Sequence, residues 1–311
     1  MTRSWHVLYT CLGVIFAACG LTAGIANPMR VYHDATEAIA SSETLVNLLV
    51  IGLFLILECA LPAAGPRKPL RGLLLNLEVT LVATLLFPFA SACFAMCAQV
   101  IDTRLGLGWI DGRIDARRGP LLTIGDIFLF ALVVDFFYYW WHRFQHENQI
   151  LWQEHKLHHM DEQLCALTRV SPLESLFQAV ALSIPLSLVF KSDPLEGSLG
   201  TSVGVILFTW NNVFIHTNIR FSLRFLTPLI TGPQIHRIHH STLPQHFDRN
   251  YAAMFPIWDV LFGTYYHPQP DEFPPTGVHD EQEVGNFSAA IALPFREWLK
   301  MWTQWRVRRA R

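Results

Sequence analysis

The chain has 311 residues, of which 51% are hydrophobic and only 15% are charged, and its mean hydropathy is +0.29. In soluble proteins about a quarter of the residues are charged, so this composition disfavours an ordinary soluble protein and favours a membrane protein. The formal net charge of −2 excludes the broad positive field expected of a nucleic-acid-binding protein, and we expect no nucleic-acid partner.

Six apolar runs follow one another along the chain, and each is predicted to form a helix. They cover approximately residues 7–26, 44–62, 73–100, 121–141, 173–190 and 201–216. A helix needs about 20 apolar residues to cross the hydrocarbon core of a bilayer, so several of these runs are long enough. The first run could instead be a signal peptide that is removed. The last two, which Pro185 and Asn211 interrupt, could dip into the bilayer and return.

Charges in the short connections predict which side of the membrane each end faces. The connection 63–72 carries three basic residues and no acidic one, and connections of this kind remain on the cytosolic side. One further pair of crossings brings residue 142 back to that side, and the long segment after residue 217 follows it. The loop 101–120 would then lie outside, where its arginines are largely offset by aspartates.

Histidines are concentrated in the polar sequence that follows the apolar runs. Three sets stand out: His142 and His146; His155, His158 and His159; His236, His239 and His240. Spacings of three and four place the rings of each set on one face of a helix. Neutral imidazole binds first-row transition metals, and eight rings exceed what one ion needs, so we predict a site for two metals. A structural zinc site is disfavoured because such sites usually contain cysteine and close at four ligands.

Asp135 is a carboxylate inside an apolar run and is predicted to be catalytic. Charged groups in a membrane helix are costly and usually functional, and seven residues before His142 the side chain lies on the same helix face. We expect it to accept a hydrogen bond from a metal-binding histidine, with an ion pair to Arg143 or Arg169 as the alternative. Further carboxylates are interleaved with the histidines: Glu154, Asp161, Glu162, Glu174, Asp248 and Asp259.

Several segments around the histidines carry a resemblance to a known family. They read DFFYYWWHRFQH, LWQEHKLHH, RVSPLE, IHTNI, HRIHHS, DRNY and WDVLFGTYYHP, and together they span about residues 125–267. Taken together, these segments resemble the fatty acid hydroxylase and sterol desaturase superfamily. The resemblance implies two irons held by the eight histidines named above and by His216 of the IHTNI segment, for which a buried, hydrogen-bonded role is the alternative. It also implies O2-dependent hydroxylation or desaturation of a sterol, fatty acyl or related lipid.

The expected architecture is all-α: a multi-pass membrane helical bundle with a cytosolic helical cap that carries the two-metal site. We expect N-terminal membrane helices over 1–120, a catalytic region over 121–270 and a tail over 271–311, in a bacterial inner membrane or the endoplasmic reticulum. In the tail, Trp298, Trp302 and Trp305 form one helical stripe among basic residues. This pattern indicates a helix at the membrane surface or one packed on the rest of the protein.

The electrons for such a reaction must come from another molecule. The chain contains neither a GxGxxG segment for a flavin or nicotinamide nor an HPGG haem motif, so we expect a separate donor of the cytochrome b5, ferredoxin or reductase type. The alternative function is a membrane metal-ion transporter or metal-binding protein. Transporters tend to place polar ligands near the bilayer midplane in broken helices, whereas here the histidines follow the apolar runs.

Overall fold

The computed structural model describes residues 22, 24–40, 42–62, 68–105, 119–190 and 199–309, and no strand occurs within these ranges. This agrees with the expected all-α class. The α-helices of the described ranges are α1 (Pro28–Ala40), α2 (Ser42–Ala60), α3 (Leu70–Leu105), α4 (Pro120–Glu147), α5 (Gln149–His159), α6 (Pro172–Val189), α7 (Leu199–Ile215), α8 (Pro233–His239), α9 (Ile257–Phe262) and α10 (Phe287–Arg309). Short 3₁₀ helices lie at Arg224–Leu226 and Pro244–His246.

Five of the six apolar runs form helices at their predicted places, namely α2, α3, α4, α6 and α7. The first run, 7–26, lies almost entirely outside the described residues. Helix α1 was not predicted, because its sequence PMRVYHDATEAIA contains no long apolar run.

Within the described ranges, α4 alone is both long and apolar enough to cross a membrane. Only 22% of its most apolar window is buried in the structure, and Leu121, Ile124 and Phe128 are exposed, so α4 is not the core helix of a soluble protein. Shorter apolar stretches occur in α2 and α6. The multi-pass bundle and its cytosolic cap therefore remain predictions.

Two apolar cores fix the helices that carry the histidines. In one, Leu75 of α3 and Leu157 of α5 pack against Leu293 of α10. In the other, Phe130 and Val134 of α4 pack against α6 through Leu182 and Leu186. Each buried aliphatic or aromatic side chain contributes roughly 1.5–3 kcal/mol. The first core holds α5 against α3 and α10, and the second holds α4 against α6.

A sharp corner at Asn148 separates α4 from α5. Asn148 has extended backbone angles (φ −105°, ψ 114°), and its side chain accepts hydrogen bonds from the amides of Ile150 and Leu151. This capping satisfies amide groups that the first turn of a helix leaves unpaired. The corner turns the chain so that the end of α4 and the end of α5 face each other.

A buried polar network joins α3 to the loop that follows α5. Asn76 is fully buried, donates to Asp161 Oδ2 at 2.9 Å and to the carbonyl of Leu167 at 2.7 Å, and accepts from Arg169 Nε at 2.9 Å. Lys68 forms an ion pair with Asp161, two residues after His159. Lys68, just before α3, thus lies beside the loop that follows the histidines of α5, and the side of the membrane that both face stays a prediction.

The C-terminal helix α10 packs on the protein with its first half and exposes its second half. Trp298 Nε1 donates to the carbonyl of Ile150 at 2.8 Å, and Leu293 is fully buried. Trp302 and Trp305 are 51% and 50% exposed. The first half of the helix thus packs on the protein, and contact of its exposed half with a membrane surface stays a prediction.

Candidate metal centre

All nine histidines singled out in the sequence come together in the structure, and they divide into two clusters. The first, here called the five-ring cluster, consists of His142, His146, His155, His159 and His239; the second, the four-ring cluster, consists of His158, His216, His236 and His240. Within each cluster the candidate ligand atoms lie within 4.8 Å of one another. The sequence therefore predicted which histidines meet, but not how they divide.

The division follows from helix geometry. Consecutive residues of a helix point about 100° apart, so His158 and His159 at the end of α5 face different clusters. The same holds for His239 and His240 at the end of α8. The His159 and His240 rings stack between the clusters, with centroids 4.2 Å apart. The ends of α5 and α8 therefore contribute to both clusters.

The spacing of the ring nitrogens fits ligands of a common ion. The Nε2–Nε2 distances are 3.2 Å for His142 and His155, 3.1 Å for His155 and His159, 3.1 Å for His158 and His216, 2.7 Å for His216 and His236, and 3.1 Å for His236 and His240. An ion with metal–nitrogen bonds of about 2.1 Å holds adjacent nitrogens about 3 Å apart. Both clusters match this separation.

Two ring nitrogens of the five-ring cluster lack a hydrogen-bond partner among the described residues. These are His146 Nε2 and His239 Nε2, and both are buried. Buried polar atoms are almost always hydrogen-bonded, so an unpaired one calls for a specific explanation. A metal ion bound between the rings would accept both lone pairs.

Burial also keeps the imidazoles in the form that binds metal. It lowers the pKa of His159 well below its ordinary value, and the neighbouring His240 ring lowers it further. Burial and the proximity of His142 lower the pKa of His239 in the same way. Each ring is therefore neutral near pH 7 and retains a lone pair for a metal.

Four rings are oriented by hydrogen bonds on their outer nitrogen. Nδ1 donates to a backbone carbonyl in three of them: His142 to Tyr251 at 2.7 Å, His216 to Asn212 at 2.6 Å and His239 to Arg249 at 2.8 Å. The fourth, His155, is bonded through Nδ1 to Glu174 Oε1 at 2.6 Å. Because a carbonyl oxygen can only accept, the proton sits on Nδ1 and the Nε2 lone pair points into the cluster.

Of the carboxylates interleaved with the histidines, Glu174 is the one that orients a clustered ring, that of His155. It lies in the first turn of α6, after the cap Ser171 and Pro172, and is buried against His155. Gln145 Nε2 donates to Glu154 Oε1 at 2.9 Å and lies 3.5 Å from Glu174 Oε1. The Glu174 carboxylate is thus contacted by both His155 and Gln145.

Replacing Glu174 by alanine is expected to weaken metal binding by about 10–100-fold, the usual effect of losing such an outer partner. Glu174→Gln keeps an oxygen that accepts from His155 Nδ1, so its loss is expected to be smaller. Competition with a chelator of known affinity measures both. Equal affinities for wild type and Glu174→Ala would contradict the assigned role.

Among the described residues Asp135 hydrogen-bonds to no histidine, which corrects the expected partner of this carboxylate, while its catalytic role stays a prediction. Its carboxylate accepts hydrogen bonds from three successive backbone amides: Ala253 at 3.0 Å, Met254 at 3.0 Å and Phe255 at 2.7 Å. The backbone of residues 253–255 passes beside α4 and supplies these three donors. Asp135 therefore supports the segment that contains Tyr251, whose carbonyl orients His142.

Asp259 completes this support from the other end. Its two oxygens accept from the amides of Tyr251 at 2.8 Å and Ala252 at 3.0 Å, and Oδ1 also accepts from the Thr264 hydroxyl at 2.7 Å. Five consecutive amides, 251–255, are thus bound by two buried carboxylates. We call this arrangement the amide clamp.

Other polar residues near the histidine sets have separate partners. His246, which belongs to none of the three sets, is buried and bonds to Ser241 Oγ at 2.9 Å and Glu272 Oε1 at 3.0 Å. Asn218, which follows His216, accepts from Arg237 at 3.0 Å. These contacts account for both side chains without a metal.

A cleft of about 280 Å³ opens onto the five-ring cluster. His146, His159 and His239 line it, together with Trp152, and no ring of the four-ring cluster does. Trp152 packs beside His146 and His159, with ring centroids 5.1 and 5.3 Å apart. The two clusters therefore differ in their access from outside.

Sequence reasoning missed the backbone partners of the rings and the position of Trp152. The carbonyls of Tyr251 and Arg249 carry no signal in the sequence, because every residue has such a group. His216 is different, since its partner Asn212 lies four residues earlier on the same helix end, a spacing that the sequence displays.

Comparison with known proteins gives one family. Residues 127–264 match the model of the family described as Fatty acid hydroxylase. Alkylglycerol monooxygenase from Danio rerio is 37% identical over 137 residues, which cover 43% of this chain and 29% of that protein. Ornithine lipid hydroxylase OlsE from Rhizobium tropici is 29% identical over 172 residues, 55% of this chain and 50% of that protein. Methylsterol monooxygenase erg25A from Aspergillus fumigatus is 30% identical over 151 residues, 47% and 49% of the two chains.

The matched region thus spans between 29% and 50% of the length of these relatives. No solved structure gives a significant match. The family model covers all nine clustered histidines. Residues 127–264 are therefore similar to the fatty acid hydroxylase family and to lipid-oxidising relatives, which confirms the resemblance found in the sequence.

Proposed function

We propose that this protein is a membrane-bound oxygenase that uses O2, two irons and two external electrons to hydroxylate or desaturate a C–H bond of a lipid. The observation that carries the proposal is the convergence of nine histidines in two adjacent clusters. A structural zinc site saturates at four ligands and uses cysteine, which none of these positions supplies. Two irons bound here would supply activation of dioxygen, the chemistry needed to attack an unactivated C–H bond.

The residues of this chain divide the remaining tasks. The five-ring and four-ring clusters would each hold one ion through neutral imidazole. Glu174 and the carbonyls of Tyr251, Asn212 and Arg249 keep four rings in the tautomer that binds metal. Rings fixed in this way need no reorganisation when an ion binds.

The lipid and the electrons would reach the centre from different directions. We propose that α4 crosses the membrane with the histidines at its cytosolic end, so that the substrate approaches from the bilayer. A separate donor of the cytochrome b5, ferredoxin or reductase type would approach the cleft beside Trp152, which leads to the five-ring cluster. The same proposal includes crossings of the membrane by α2 and α3 and a hairpin of α6 and α7 that dips into the bilayer and returns.

The names of the relatives favour hydroxylation over desaturation. One is called an alkylglycerol monooxygenase, one an ornithine lipid hydroxylase and one a methylsterol monooxygenase. The substrates in these names share an apolar hydrocarbon portion and differ in their polar portions. We therefore propose a lipid substrate and leave its headgroup open.

Anaerobic reconstitution with ferrous iron tests this proposal against the alternative of a metal-ion transporter. We expect two irons per chain, and O2 uptake that requires both a reductant and added lipid extract. A transporter would instead move iron across sealed vesicles and consume no oxygen. An iron content far from two per chain, or lipid-independent oxygen uptake only, would contradict the oxygenase.

A further inference from the structure

Residues 251–262 lie alongside the half of α4 that leads to the histidines. Three aromatic pairs join the two segments, with ring centroids 5.3, 5.0 and 4.7 Å apart: Phe128 with Phe255, Phe136 with Trp258, and Trp140 with Phe262. From Phe128 to Trp140 the helix rises about 18 Å. The segment therefore follows α4 over more than half of the length that would cross the roughly 30 Å hydrocarbon core.

The outer face of this segment is apolar. Ile257, Val260 and Leu261 of α9 occupy one helix face, and their side chains are 46%, 52% and 63% exposed. The one charged residue of α9, Asp259, is turned inward and buried. The neighbouring face of α4 is also apolar and exposed, as at Phe128. The two faces form one continuous apolar surface larger than isolated exposed side chains would give.

Backbone polar groups of this segment are hydrogen-bonded within the protein, as a position without water requires. Non-helical backbone at membrane depth is tolerated only where its polar groups find partners within the protein. The amide clamp binds the N–H groups of residues 251–255. The carbonyl of Ala253 accepts from Asn211, and that of Met254 accepts from the amide of Thr231 at 2.9 Å.

The loop that precedes Thr231 extends the same surface. Phe225 is 82% exposed and Leu229 is 63% exposed. Arg224 stands beside Phe225 and is also exposed. Apolar side chains next to a cation are the pattern of a segment at the boundary between acyl chains and anionic headgroups.

We infer that residues 251–262 form a re-entrant segment within the leaflet, and that acyl chains of phospholipids cover Ile257, Val260 and Leu261. The loop 221–230 borders it at the headgroups. This inference rests on the proposed crossing of the membrane by α4, but not on the proposed chemistry at the histidines. It changes the expectation that everything after residue 217 is aqueous, and it explains a buried carboxylate in α4 at Asp135, since that carboxylate satisfies amides that water cannot reach.

Spin labels on single cysteines test the inference in the full-length protein. The six native cysteines are replaced, labels are placed at Leu261, Ile124 or Asp271, and each variant is reconstituted in nanodiscs of phosphatidylcholine and phosphatidylglycerol. Collision with O2, which concentrates among acyl chains, is compared with collision with a water-soluble nickel chelate. We expect Leu261 and Ile124 to favour O2, and Asp271, whose side chain is 89% exposed, to favour nickel. A label at Val260 repeats the reading if the Leu261 variant does not fold.

The outcomes separate this inference from the proposal on which it rests. If Ile124 favours O2 while Leu261 and Val260 favour nickel, α4 crosses the membrane but the re-entrant segment is wrong. If Ile124 also favours nickel, both fail. The label at Leu261 could instead be shielded from both agents, with its spectrum broadened by the label of a second chain. That result would mean that another copy of the chain covers this face, and it would overturn lipid as the partner.

Discussion

Replacement of His239 by alanine is expected to remove metal from the five-ring cluster and to abolish turnover. His239 Nε2 is buried and unpaired within the described part of the chain, and its ring lies 4.5 to 4.8 Å from those of His142, His146 and His159. Loss of such a ligand should exceed the roughly 10–100-fold effect of losing an outer hydrogen-bond partner. Iron analysis and turnover with lipid measure the two effects on the same preparation.

His246→Gln provides the matched control. His246 is as deeply buried as the clustered histidines but bonds to Ser241 and Glu272, so its replacement should leave the iron content near that of the wild type. The His239→Ala chain should still insert into membranes, because its apolar helices are unchanged. Full turnover by His239→Ala would show that the third histidine set is not part of the site.

Replacement of Asp135 by alanine is expected to lower stability, iron content and turnover together. Three buried amides, those of residues 253–255, lose their acceptor, and each unsatisfied group costs roughly 1–3 kcal/mol. The loss should amount to roughly 3 kcal/mol or more. Thermal unfolding in nanodiscs, followed with and without iron, measures the stability effect directly.

A catalytic Asp135 would behave differently. Asp135→Asn keeps one oxygen that accepts from the amides but directs its NH2 group at the remaining donors, so we expect an intermediate Tm and intermediate iron content. Asp271→Asn, at an exposed carboxylate, should match the wild type in both. An Asp135→Asn protein with unchanged Tm and full iron content but no turnover would show that Asp135 acts in the reaction itself.

Sequence alone predicted most of the helices and the gathering of the histidines, because both depend largely on local spacing. Apolar runs of sufficient length gave α2, α3, α4, α6 and α7. Histidines three and four residues apart share a helix face, and all nine candidates meet. Local periodicity therefore identifies the eight rings at the ends of α4, α5 and α8, whereas His216, directly after α7, was predicted from the resemblance.

Sequence could not predict how the rings divide or what orients them. Helix geometry sends neighbouring rings to different clusters, but which rings of different helices meet depends on contacts distant in sequence, such as that of His158 with His216. The amide clamp depends on contacts between residues more than a hundred positions apart, such as Asp135 with Ala253. A carboxylate before a histidine in an apolar helix predicts function, but it does not reveal whether ring or backbone is the partner.

Labelling with isotopic oxygen tests the central claim most directly. Membranes that contain either the wild-type protein or His239→Ala are supplied with a reductant and oxygen-18 gas, and their lipids are compared by mass spectrometry. The account predicts a lipid in the wild-type sample that gains one labelled oxygen atom, or one that loses a pair of hydrogens, and neither change with His239→Ala. Identical lipid profiles in the two samples, with the wild-type protein fully loaded with iron, would contradict it.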